Sequence, residues 1–245
     1  MYPLEKYYNV KSETEYRIDT IADIDLSNKK LFGNINLSKY KDALKINLQS
    51  NNIDKIVEFP DKLEILNCSS NQLTNLDNLP SKLKALECGE NSIKSLINLP
   101  NGLVILHCDT NQIKNVDCLP ETIEELNCSS NNIEFLDDLP NNLKILYCDD
   151  NKITTLANLP RKLEELSVNS NKLVNLENLP NGLKKLCFHS NMVSNIEQLP
   201  NSIEFIDCRF NKIYQIDKLP SELKIIFIKL NDYKIKLKFP LVKFL

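Results

Sequence analysis

The chain of 245 residues has no tryptophan, two histidines and only four glycines. Each scarcity excludes something. Gly33, Gly89, Gly102 and Gly182 stand apart from one another, so no glycine-rich loop can wrap a phosphate. The formal net charge is only −3, which gives no general attraction to nucleic acid or to an acidic membrane. No run approaches the ~20 apolar residues of a membrane helix. The start, Met-Tyr-Pro-Leu-Glu-Lys, lacks the charged-then-apolar order of a secretory leader, so none is expected. What is present excludes bulk disorder, because 42% of the residues are hydrophobic. The length allows one or two domains.

The chain repeats itself. Prolines fall at Pro60, Pro80, Pro100, Pro120, Pro140, Pro160, Pro180, Pro200, Pro220 and Pro240, every 20 residues without an insertion. Asparagines keep the same step from Asn51 through Asn131 to Asn231. One repeat reads Leu63, Leu66, Cys68, Asn71, Leu73, Leu76, Leu79, Pro80, and the next reads Leu83, Leu86, Cys88, Asn91, Ile93, Leu96, Leu99, Pro100.

These spacings have physical meanings. Leu66 and Cys68 alternate with Asn67, which predicts a short strand with one buried face. Leu73, Leu76 and Leu79 end at a proline, leaving no room for a helix of ten residues. Proline lacks an N–H and biases the preceding residue to extended geometry. The return path is therefore expected to be extended, polyproline-like or a short 3₁₀ turn. The asparagine amide both donates and accepts, so stacked asparagines can satisfy backbone groups of adjacent coils. A solenoid follows, with a parallel sheet on one side and each coil burying its apolar face on its neighbours.

The pattern Leu-x-x-Leu-x-Cys-x-x-Asn-x-Leu/Ile-x-x-Leu-x-x-Leu-Pro resembles the shortest leucine-rich repeat. The stretch 79–96 is similar to repeats of secreted bacterial effectors of the YopM and IpaH kind. It also resembles leucine-rich-repeat proteins of giant amoeba viruses. The resemblance covers about residues 41–240. It implies a leucine-rich-repeat solenoid of about eleven coils with a curved parallel sheet on its concave face. For function it implies a scaffold rather than an activity. The ubiquitin-ligase domain of IpaH-like effectors is not expected here.

The ends depart from the period. Residues 1–22, with Tyr2, Tyr7, Tyr8 and Tyr16, are expected to form an N-terminal cap. Repeats are expected over 23–240, regular from 41, with 241–245 ending a C-terminal cap. Leu26 and Leu48 are 22 residues apart, marking an atypical first coil. The stretch 234–239 alternates lysine with apolar residues, as a closing edge strand guarded against further stacking would. A basic patch for lipid or RNA is the rival reading of that stretch.

Cys68, Cys88, Cys108, Cys128, Cys148 and Cys208 share one inward slot, filled elsewhere by Val168, Phe188 and Ile228. Interchange with valine and isoleucine points to core packing. A straight ladder of thiols does not suit tetrahedral zinc, and neither metal nor cofactor is expected. Residues 1–67 and 209–245 hold no cysteine, whereas secreted leucine-rich proteins usually cap both ends with disulfides. A reducing, cytoplasmic setting is expected, the host's cytoplasm for an effector or viral protein. Cys118 is expected to be an exposed thiol on the return side.

Four positions of each repeat, the fifth, seventh, ninth and tenth, point outward from the strand side. Over 61–220 they carry eight acids against Lys185 and Arg209, a net −6 before histidine. A polar face with a few rings suits protein recognition. The expected contact residues are Glu87, Glu90, His107, Asp109, Glu125, Asn127, Tyr147, Asp149, Asp150, Glu165, Asn169, His189, Asp207 and Arg209. Phe205, Phe210 and Phe227 gather at one end. The partner should be a protein with a basic or mixed surface. The fourth position alternates in sign (Glu64, Lys84, then Glu124, Lys144, Glu164, Lys184, Glu204, Lys224), which supports register.

Little suggests an enzyme. His107 and His189 lie four coils apart, roughly 19 Å at ~4.8 Å per strand. Cys187, His189 and Asp207 are expected to share a face, yet the unbroken period leaves no loop to form an enclosed pocket. The expected function is non-enzymatic protein binding, as a host-directed effector or viral factor; the 33 asparagines fit an AT-rich genome. The alternatives are a structural repeat protein in a larger assembly and exposed-thiol chemistry at Cys187.

Overall fold

A computed structural model describes residues 23–229, residue 231 and the backbone of 243–244. The expected N-terminal cap and the stretch 234–239 lie outside the described residues. Alternating short segments form strands β1 (Asp23–Asp25), β2 (Phe32–Asn36), β3 (Lys45–Asn47) and β4 (Asn52–Glu58). From there one strand recurs per repeat: β5 (Ile65–Asn67), β6 (Ala85–Glu87), β7 (Ile105–His107), β8 (Glu125–Asn127) and β9 (Ile145–Tyr147). β10 (Glu165–Ser167), β11 (Lys185–Cys187), β12 (Phe205–Asp207), β13 (Ile225–Phe227) and β14 (Lys243–Phe244) complete the set.

Twelve strands make one parallel sheet, in the order β1, β3, then β5 through β14. Register follows the sequence period, as in Leu166↔Leu186 and Leu186↔Ile206. Ile24 pairs with Ile46, so the longer first coil is absorbed without a slip. The strand that pairs with β13 is β14, with Ile226 opposite Phe244. Inter-coil bonding runs well beyond each three-residue strand. The Glu124 amide donates to Val104 O at 2.9 Å, and the Ser130 amide to Asp149 O at 2.8 Å.

The core is one continuous spine. In the coil 101–120, Leu103, Leu106, Cys108, Ile113, Val116 and Leu119 are all buried. The cysteine slot is wholly inside, and all eight cysteines are unpaired. The asparagine slot does what the repeat predicts. Asn131 Oδ1 accepts the Ile113 amide at 2.9 Å, while Nδ2 donates to Cys108 O and Cys128 O, both at 3.1 Å, and to Ser129 O at 3.0 Å. One side chain thus ties two consecutive coils.

The return segments are extended with tight turns, such as Leu103 N–H to Pro100 O at 3.1 Å, and contain no helix, 3₁₀ included, among the described residues. Two features depart from the sequence expectation. Near the N-terminal end the return side carries its own two-stranded parallel sheet, β2 with β4. The β-branched Ile56 stands where most later coils have leucine, and Val57 where most have an acid, and both favour extension. Secondly, the tenth position is left-handed in every coil from Ser50 to Phe210, with φ near +49 to +57° and no glycine present. This turn lets the chain leave the strand while the next residue, asparagine, points inward.

Candidate functional site

Each outward side chain is placed by two neighbours: the residue two along its own strand and the register partner one coil away. Glu87 and Glu90 are exposed, accepting Asn67 Nδ2 at 2.6 Å and Ser70 Oγ at 2.8 Å. Asp150 is exposed and sits at a left-handed tenth position. Asp109 lies over Gly89, where an added Cβ would come within 2.9 Å of Oδ1, so glycine makes the room for this carboxylate. Asn127 Nδ2 reaches the same oxygen at 3.3 Å.

His107 stands among three acids. Its Nε2 is 2.9 Å from Glu125 Oε1. Burial opposes its charging, but the bond to Glu125 and the charges of Glu125, Glu87 and Asp109 outweigh it and raise its pKa. Asp149 is the reverse case. Burial raises its pKa, against hydrogen bonds from Ser167 Oγ at 2.7 Å and the Asn169 amide at 2.7 Å.

Three residues expected on the outer surface are withdrawn from it. Asp207 is 1% exposed and is gripped by Arg209, with Nε 2.9 Å from Oδ1 and Nη2 2.6 Å from Oδ2. Asn169 is 3% exposed and spends its amide on Ser167 Oγ and on the His189 backbone amide. Cys187 is 1% exposed, and burial, with the Asp207 charge adding to it, pushes its thiol up to about 12. It is one of the residues lining a recess in the strand face. The expected thiol–imidazole–carboxylate set therefore does not form. Asp207 is held by Arg209, and His189 Nδ1 meets Ser190 Oγ at 3.1 Å.

These pairings redistribute the charge. Arg209 neutralises Asp207, and Lys185 Nζ lies 3.4 Å from Glu165 Oε2. The six remaining acids, Glu87, Glu90, Asp109, Glu125, Asp149 and Asp150, all fall within four consecutive coils. Beyond them the face becomes aromatic. Phe205 and Phe227 have ring centroids 5.6 Å apart, and the Arg209 guanidinium lies 5.4 Å from the Phe227 ring.

At the junction of these zones lies a recess of about 230 Å³. Tyr147, Asp149, Glu165, Ser167, Lys185 and Cys187 line it, with Asn127, Ser129 and Leu166. Burial, with the charges of Glu165 and Glu125, raises the Tyr147 hydroxyl pKa, so the phenol stays neutral. Sequence reasoning named Asn127, Tyr147, Asp149 and Glu165 as contacts and Cys187 only as a candidate exposed thiol, and it missed the small Ser129 and Ser167 and the cation Lys185 as lining residues. A run of short residues beside a tyrosine was the available signal.

The fourth-position alternation resolves into discrete pairs, each lysine reaching back one coil: Lys84–Glu64 at 2.9 Å, Lys144–Glu124 at 2.7 Å, Lys184–Glu164 at 2.6 Å, and Lys224–Glu204. Cys118 is exposed on a return segment, as expected. The return side also carries Phe135, 56% exposed, beside a mixed-charge groove with Lys114, Asp117 and Lys152. Among the described residues no group of three histidine, cysteine or acidic side chains is placed to hold a metal ion.

No family model and no curated protein matches the chain. Solved structures do. YopM from Yersinia enterocolitica is 26% identical over 90% of this chain and 59% of its own, with a TM-score of 0.73. A leucine-rich effector, YopM from Yersinia pestis, is 25% identical over 85% of this chain and 67% of its own, at 0.71. The functional domain of InlJ from Listeria monocytogenes, described as including a cysteine ladder, is 22% identical over 89% of this chain, at 0.65. This chain spans 54% of that InlJ chain, little over half the length. The fold is a leucine-rich-repeat solenoid with a 20-residue period.

Proposed function

We propose that the chain is a non-enzymatic protein-binding scaffold, and that its strand face makes the contact. The observation that carries this reading is the concentration of six acids on four adjacent coils, with His107 beside Glu125 as the histidine among them, next to an aromatic end. A rigid, pre-formed sheet loses little freedom on association. Acids steer a basic partner to the face, and the exposed Phe210 and half-buried Phe205 rings supply anchor area, Phe227 being buried. The likeness to effectors named YopM supports a host-directed role. The eight unpaired cysteines fit a reducing compartment, such as host cytoplasm. Against catalysis stand the protonated Cys187 thiol and the open, shallow face.

The experiment is affinity capture from cells, comparing the wild type with a Glu87→Lys, Glu90→Lys double variant. Both side chains are exposed, so folding should be spared. The reading predicts loss of the captured partner; undiminished capture rejects the acidic coils as the contact.

A further inference from the structure

We propose that the recess bounded by Tyr147, Glu165 and Cys187 seats one arginine side chain of the partner protein. The proposal rests on the binding role of the strand face and names the group that anchors there.

Size comes first. A recess of about 230 Å³ falls below the ~300–1,000 Å³ of small-molecule sites, so it suits one side chain rather than a cofactor. Charge comes second. Two carboxylates, Asp149 and Glu165, line the recess against one cation, Lys185. The Lys185–Glu165 contact is 3.4 Å, longer than the ~2.7–2.9 Å of a strong charge-assisted bond, and the Tyr147 hydroxyl also bonds Glu165; a carboxylate accepts at about four lone-pair sites, so Glu165 keeps acceptor capacity. Shape comes third. Tyr147 supplies a neutral aromatic wall, and a guanidinium can stack on a ring while its edge donates to carboxylates. A lysine ammonium is compact and strongly hydrated, and it lacks the planar fork. The lining is inert, since the Cys187 thiol keeps its proton. The group is therefore held and not transformed.

The test is a titration of the full chain followed by amide NMR. The probes are the peptide acetyl-Gly-Arg-Gly-amide and its lysine and citrulline counterparts. The arginine peptide should shift the Ser167 and Cys187 amides saturably. The lysine and citrulline peptides should bind about tenfold more weakly, as should the arginine peptide to Glu165→Gln, each having lost about one charge-assisted bond. Tyr147→Ala should weaken arginine binding as well. Should that variant disturb amides far from the recess, Glu165→Gln decides alone. No saturable shift, equal binding by citrulline or lysine, or an unchanged affinity in Glu165→Gln would overturn the proposal. The two readings fail separately. Glu87 and Glu90 lie outside the recess, and the titration needs no partner.

Discussion

His107 Nε2 lies 2.9 Å from Glu125 Oε1, on the next coil of the solenoid. The pair sits inside the six-acid zone, with Glu87 in register on the other side of the imidazole. When it carries its second proton, the ring therefore links the part of the face where like charges crowd most.

This arrangement makes stability depend on pH. The folded His107 pKa is raised above its ordinary value of 6.5. The stability it contributes is fully present below the unfolded pKa and is lost as pH rises through the higher folded one. Melting temperature should fall between about pH 6 and 8, and His107→Gln should fall less over the same window. Equal slopes for the two proteins would contradict the assignment.

The asparagine slot carries a larger share of the fold. Asn131→Ala strands the amide of Ile113 and takes one of two asparagine donors from each of the Cys108 and Cys128 carbonyls, which keep Asn111 and Asn151. A buried polar group left unpaired costs ~1–3 kcal/mol, so the loss should be about 1–3 kcal/mol. Urea unfolding measures it. A change below about 1 kcal/mol, typical of an exposed polar site, would refute the inter-coil role.

Thiol reactivity should separate the cysteines sharply. Only Cys118 is exposed, while burial holds Cys68, Cys128 and Cys187 up to about 12. A colorimetric disulfide reagent should find one fast thiol in the folded protein and eight after denaturation. Cys118→Ser should remove the fast phase. A fast phase that persists, and that Cys187→Ser then abolishes, would restore the exposed-thiol reading.

Much of the fold was legible because every coil solves the same packing problem with the same residues. Leu66, Cys68 and Asn71 announce strand, core slot and inter-coil bond before any coordinates are seen. The second sheet was less legible, since Ile56 and Val57 depart from the later repeats at only two neighbouring positions. The left-handed tenth position left no mark, because Ser70, Glu90 and Phe210 share no composition that demands it. On the face, sign and location were legible but depth was not. Whether an outward residue is reachable depends on neighbours in three dimensions. Arg209 covers Asp207, and Cys187 is 1% exposed despite its outward slot. The Asp-x-Arg spacing of Asp207 and Arg209 was the one sequence clue to that burial.

The central claim is that the strand face, not the return side, meets the partner. A photo-crosslinking amino acid placed at Tyr147 or, in a separate protein, at Phe135 tests it most directly in partner-containing lysate. Tyr147 lines the strand-face recess, while Phe135 is exposed on a return segment. The account predicts one discrete crosslinked protein from position 147 and none from 135. The opposite pattern, a discrete adduct from 135 with none from 147, would place the contact on the wrong side of the solenoid and contradict it.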